Sequence, residues 1–121
     1  MTTLYLFCLF LKHTLADLVL QARLPKAGKG DLKNSKGYIH ALDHAILTLL
    51  VTLAFTFNLT TAFYIAIIDY VLHFVIDHNK TLISRRMNLK FDTQKFWTVQ
   101  GVDQALHFSC YLLYTYLVFG I

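Results

Sequence analysis

The sequence predicts an all-α, polytopic membrane protein, four transmembrane helices in an antiparallel bundle, and three observations predict it. Apolar residues make up 56% of the 121-residue chain and charged residues only 15%, too greasy a balance for an ordinary soluble fold. Four apolar segments approach the roughly 20 residues that cross a bilayer at about 1.5 Å of rise each. Ten of the eleven Lys and Arg residues are gathered in two stretches between those segments. A soluble all-α domain, the alternative, would alternate polar and apolar faces more evenly along its helices.

The first segment, Leu4 to Gln21, lacks a basic stretch ahead of it and a small-residue cleavage site, and carries Lys12 and His13 inside its apolar run. It therefore reads as a retained helix rather than a cleaved signal peptide. The second and third segments, Tyr38 to Phe57 and Thr61 to Asp77, are separated by only Asn58, Leu59 and Thr60, which demands an antiparallel hairpin. The fourth runs from about Phe96 to Ile121, with Phe96 and Trp97 as an interfacial anchor. The two remaining stretches read as loops. Arg23 to Gly37 holds five basic residues with Pro25, Gly28, Gly30 and Gly37 as breakers, and His78 to Lys95 holds five more basic residues. No repeat or linker divides the chain, so residues 1–121 form a single domain. Cys8 and Cys110 each lie in an apolar run with no second thiol nearby, which excludes a disulfide framework and a zinc ribbon.

Four spans bring both basic stretches to the same side, and the positive-inside rule makes that side cytoplasmic. The expected location is the inner (cytoplasmic) membrane, multi-pass, with both termini and the Asn58 hairpin outside. The polar minority then takes on a pattern. All seven acids are Asp, without one Glu, although Glu is the better helix former for a solvated face. His13, Asp17 and Gln21 share one stripe of the first helix, and Asp69, His73 and Asp77 repeat the spacing on the third. The second helix carries His40, Asp43 and His44, and the fourth Gln100, Asp103, Gln104 and His107. The topology puts all four stripes in the cytoplasmic half of the bilayer. A charged residue near the middle of a span costs roughly 2.5–3.5 kcal/mol on insertion scales, so the stripes must face one another, a water-filled cavity or a metal ion.

Imidazole and carboxylate together suit Zn, Mn or Fe, and pairs at i, i+4 offer two ligands to one ion. His13, Asp17, His44, Asp69, His73, Asp103 and His107 are the candidate ligands of a divalent transition metal, in a mononuclear or dinuclear site. Surplus carboxylates would orient the imidazoles. If the metal is catalytic, the fitting chemistry is hydrolysis by activated water, with Asp17 and Asp103 as the candidate proton-moving groups. Two metal-free readings stay open: a proton or ion path, and an Asp–His network that only fixes helix register. Lys12 reads as a side chain that snorkels or pairs with an Asp, and Tyr111 and Tyr114 as packing. His78 and Lys80 read as a solvated loop, with contact to an anionic headgroup as the alternative.

The set formed by His13-x-x-x-Asp17-x-x-x-Gln21, His40-x-x-x-His44, Asp69-x-x-x-His73-x-x-x-Asp77 and Asp103-Gln104-x-x-His107 resembles a family of small bacterial and phage membrane proteins known only as domain of unknown function 3307. The resemblance covers nearly the whole chain and brings no activity; the short length is similar to that of phage-encoded members and implies a phage origin. A looser likeness, in the scatter of His and Asp over short hydrophobic helices, is to inner-membrane proteins described as metal-dependent hydrolases. The basic loops favour an anionic lipid or a phosphate-bearing substrate, although topology alone requires the same charges. The expected function is a membrane-embedded metal-dependent hydrolase acting on a lipid or phosphoester. The alternative is a non-enzymatic ion- or proton-conducting protein, or a phage-encoded modifier of the host membrane. Expected partners are membrane lipids and further copies of the chain, with no nucleic acid.

Overall fold

The computed structural model describes residues 1–23 and 32–120, which are all-helical and contain no strand. Four helices follow one another: α1 (Thr2–Leu15), α2 (Ser35–Thr56), α3 (Leu59–Arg86) and α4 (Gln94–Phe119). Beyond Leu15 the chain of α1 widens into a π turn, Ala16–Leu20, and tightens into a 3-10 turn, Gln21–Arg23. Side-chain oxygens satisfy helix N-termini that have no backbone partners of their own. Asn34 accepts from the Lys36 amide, Asn58 from that of Thr61, and Thr93 from that of Phe96. α2 and α4 end on left-handed residues, Phe57 at φ 50° and Gly120 at φ 70°, the usual way to turn a chain off a helix.

The hairpin between α2 and α3 is tighter than the sequence reading drew it, because only Phe57 and Asn58 join the helices. A larger difference lies at the other end of α3. The stretch from His78 is not a loop: the helix continues through Lys80 to Arg86. Lys80, Leu82, Arg85 and Arg86 are good helix formers and no Gly or Pro interrupts them, and Arg85 and Arg86 in the last turn complement the helix dipole. Gly37, read as a breaker, sits in the first turn of α2. The breakers Pro25, Gly28 and Gly30 lie outside the described residues.

Among the described residues, three helical stretches are long and apolar enough to cross a membrane: Thr2–Arg23, Ser35–Thr56 and Leu59–Arg86. α4 is as long, at 26 residues, but Gln100, Asp103, Gln104 and His107 lower its apolar character. α1 packs against α2 and α4, α2 against α3, and α3 against α4, so the four helices close a ring around one interior. Part of that interior is aromatic. Tyr5, Leu9, Ile65, Tyr111 and Tyr114 form its buried cluster, with Tyr5 edge-on to Phe55 and Phe119. The remainder is filled by ten buried side chains among His, Asp, Lys and Thr on α1 to α3, together with Asp103, His107 and Thr115 of α4. Outside, the pattern inverts: Phe7, Leu18, Ile46, Leu50, Phe63 and Val71 are exposed. Polar inside and apolar outside is what lipid, not water, demands of a helical protein.

Candidate metal centre

Five imidazoles line the polar part of the interior, and each turns Nε2 toward a carboxylate. The π turn is what presents Asp17. Such wide turns are rare and gather at functional sites, and this one sets Asp17 against both α1 and α2. Asp17 Oδ1 lies 3.1 Å from His44 Nε2 and 3.3 Å from His40 Nε2. Its Oδ2 lies 3.2 Å from His13 Nε2. Asp77, from the middle of α3, faces the other members. Its Oδ2 is 3.4 Å from His40 Nε2 and 3.6 Å from His73 Nε2, and its Oδ1 is 3.3 Å from His107 Nε2. Asp103 Oδ1 completes the set at 3.6 Å from His107 Nε2, and His40 and His73 meet at 3.4 Å through their Nε2 atoms. None of the five rings is more than 4% exposed.

These separations bear directly on a metal. Ligands held about 2.0–2.1 Å from a tetrahedral zinc lie roughly 3.3 Å from one another, and the nitrogen–oxygen separations above run from 3.1 to 3.6 Å. Among the described residues, three groupings have all their ligand atoms within 4.8 Å of one another: Asp17, His40, His44 and His73; His13, His73 and His107; and Asp77, Asp103 and His107. The first and third share no residue, and Asp77 reaches toward both, through His40 and His73 on one side and His107 on the other. Hydrogen bonding leaves part of the cluster unsatisfied. His13 Nε2 and Asp103 Oδ1 are buried and make no well-formed hydrogen bond, their near partners being Asp17 Oδ2 at 3.2 Å and His107 Nε2 at 3.6 Å, so a further ligand would satisfy them better. The donor set and these poorly satisfied atoms fit a transition metal.

Behind the rings, His13 Nδ1 is 2.7 Å from the Tyr111 hydroxyl. Ligation through Nε2 puts the ring proton on Nδ1, where the tyrosine oxygen accepts it. Next to the cluster stands a separate ion pair. Lys12, 3% exposed, donates to Asp69 Oδ2 at 2.8 Å and lies 4.8 Å from the centre of the Tyr111 ring. Asp69 also accepts from Thr48 and, at 3.0 Å, from Tyr114.

Of the seven ligands proposed from sequence, His13, Asp17, His44, His73, Asp103 and His107 are brought together. Asp69 stands beside them as the partner of Lys12. His40 and Asp77 also belong to the cluster, beyond the ligand set expected from sequence; the i, i+4 pairs His40/His44 and His73/Asp77 are the sequence signal that marks them. Asp17 and Asp103, the candidate proton-moving groups, sit in different groupings. Lys80, expected in a solvated loop, donates to Asp103 Oδ2 at 3.0 Å. Arg23 pairs with Asp43, closing the α1–α2 edge of the site.

A family model described as a protein of unknown function (DUF3307) matches residues 5–121. No curated protein and no solved structure matches the chain.

Proposed function

We propose, for a chain that belongs to the DUF3307 family of proteins of unknown function, that it is a membrane-embedded metal-dependent hydrolase with a dinuclear centre. All four helices cross the inner membrane as an antiparallel bundle, with both termini outside and the site in the cytoplasmic half. The matched ends of neighbouring helices support the antiparallel order: Tyr5 bonds Thr52 while Asp17 meets His44. The observation that carries the function is the convergence of five Nε2 atoms on three carboxylates at ligand spacing. A pair of bound ions would supply an activated water and hold an ester oxygen. Asp17 is suited to take the water's proton, because its side chain is 31% exposed while the imidazoles around it are buried. Asp103 is the corresponding group at the α4 side. The substrate class is a lipid or another phosphoester, and membrane lipids and further copies of the chain are the partners. Elemental analysis of protein purified without chelator tests the reading; it expects about two ions of Zn, Mn or Fe per chain. Near-zero metal in folded, active protein overturns it.

One observation favours a second reading, a proton path. Polar contacts continue away from the cluster through His44, Lys12 and Asp69 to Tyr114, and Thr52 and Tyr5 lie further along the same interior. Proton flux into vesicles holding metal-free protein would support that reading over hydrolysis.

A further inference from the structure

Lys80 sits at the join between the polar cluster and the lipid-facing surface. Its Nζ lies 3.0 Å from Asp103 Oδ2 and 3.6 Å from Asp77 Oδ1, two of the three members of the third ligand grouping. An ammonium between two carboxylates neutralises charge that a divalent ion on the same carboxylates would neutralise instead. With the ion bound, the lysine's attraction to them weakens and its charge is left for another anion.

That anion would arrive by a groove. Between α3 and α4 runs a cavity of about 290 Å³, open to the outside, with Lys80 and Asp103 in its lining. Asn79, Lys80 and Thr98 of its lining lie toward the helix ends that carry Arg85, Arg86 and Lys95; Asp103, held by Lys80, and the apolar Val75, Ile76, Val102 and Leu106 line it deeper in the span. From Ile83 to Val75, and from Thr98 to Leu106, is eight residues, or about 12 Å along a helix. This covers much of one leaflet of a hydrocarbon core about 30 Å thick. A helix about 10 Å across has no room in a cavity of this size, whereas an amphiphile with one chain in the apolar part and a charged head at the cation matches its polarity.

We infer that the α3–α4 groove binds an anionic phospholipid, its chain along Val75 and Leu106 and its phosphate on Lys80, which presents the ester to Asp77, Asp103 and His107. The inference rests on the metal reading and names its substrate class. Lys80 is an anion-binding residue in this scheme; the ligands carry the chemistry.

The protein's single tryptophan, Trp97, adjoins Thr98 at the polar end of the groove and is exposed. Metal-loaded protein in phosphatidylcholine vesicles is titrated with phosphatidic acid carrying brominated chains, which quench tryptophan, and with brominated phosphatidylcholine. The expected result is a preference of about five-fold for the anionic lipid, the effect of one lysine beside an anionic headgroup. Lys80→Gln, which can still donate to Asp103, abolishes the preference without lowering metal content. Lys90→Gln, at an exposed position in the turn after α3, leaves it intact, and Val102→Phe, which fills the groove, reduces quenching by both lipids. Retention of the preference in Lys80→Gln overturns the inference, as does its equal loss in Lys90→Gln, which would indicate surface charge alone. Quenching by phosphatidic acid no stronger than by phosphatidylcholine in metal-loaded wild type overturns the anionic lipid as occupant. Should Lys80→Gln fail to fold, Val102→Phe still decides, because unchanged quenching there overturns the groove. Metal analysis of the same samples separates the two ideas: folded wild type that takes up no metal sinks the hydrolase, whereas metal-loaded wild type without the preference sinks the lipid site alone.

Discussion

Replacing Tyr111 by Phe removes one oxygen and keeps the ring. That oxygen lies 2.7 Å from His13 Nδ1, and both residues are buried. If His13 holds a metal through Nε2, Nδ1 carries a proton whose acceptor is the tyrosine oxygen. Its loss leaves a buried N–H unsatisfied, at about 1–3 kcal/mol. Removing the partner of a metal-bound imidazole typically lowers metal affinity 10- to 100-fold, or about 1.4–2.7 kcal/mol, so two separate routes give the same size. The ring contacts with Phe10 and Tyr114 survive the change, so little else should be lost. Competition against a chromophoric chelator, in detergent, measures the affinity of wild type, Tyr111→Phe and Tyr114→Phe. Tyr114 donates to Asp69, outside the three ligand groupings, and its Phe variant should bind metal within about two-fold of wild type while unfolding at a lower temperature. A Tyr111→Phe affinity equally close to wild type would refute the assignment of His13 as a ligand.

Asp69→Asn should destabilise without removing metal, because it strands the buried Lys12 ammonium, at about 3–5 kcal/mol for a broken buried pair. Combining Lys12→Met with Asp69→Leu should recover only part of that loss in thermal unfolding, because the Thr48 and Tyr114 hydroxyls lose their acceptor; if Asp69→Asn instead stays folded and loses its ions, Asp69 is a ligand after all. For topology, a reporter fused at Ile121 should read outside and one inserted between Lys26 and Lys36 cytoplasmic, and a cytoplasmic signal from Ile121 reverses the orientation drawn from the basic residues.

Much of this arrangement was legible because membrane burial leaves coarse marks. Apolar runs of fixed length gave the helices, and the spacing of His13/Asp17, His40/His44 and Asp69/His73/Asp77 gave the polar stripes before any contact was known. The end of α3 was not legible from hydropathy, which registers where a helix leaves lipid, not where it stops being a helix; Lys80 to Arg86 are helical outside the apolar run. The π turn left no mark either. It changes the phase of the chain after Leu15, and a strict 3.6-residue period cannot anticipate it. Asp69 shows the limit of stripe reasoning: periodicity put it in line with His73, but the choice between an ion and Lys12 depends on a residue 57 positions away.

That distance also bears on how the chain is made. α1 is synthesised first and carries Lys12, His13 and Asp17, and none of these finds its partners within α1 alone except the His13–Asp17 contact. Lys12 waits for Asp69, which emerges only after α2 and the first turns of α3. A helix bearing an unpaired ammonium near its middle partitions poorly into lipid, so α1 should linger at the insertion machinery, shielded, until the α2–α3 hairpin enters beside it. The two-residue link at Phe57 and Asn58 suits that hairpin to enter as one unit. Biogenesis would then be a late, concerted release of the helices rather than a succession of independent ones.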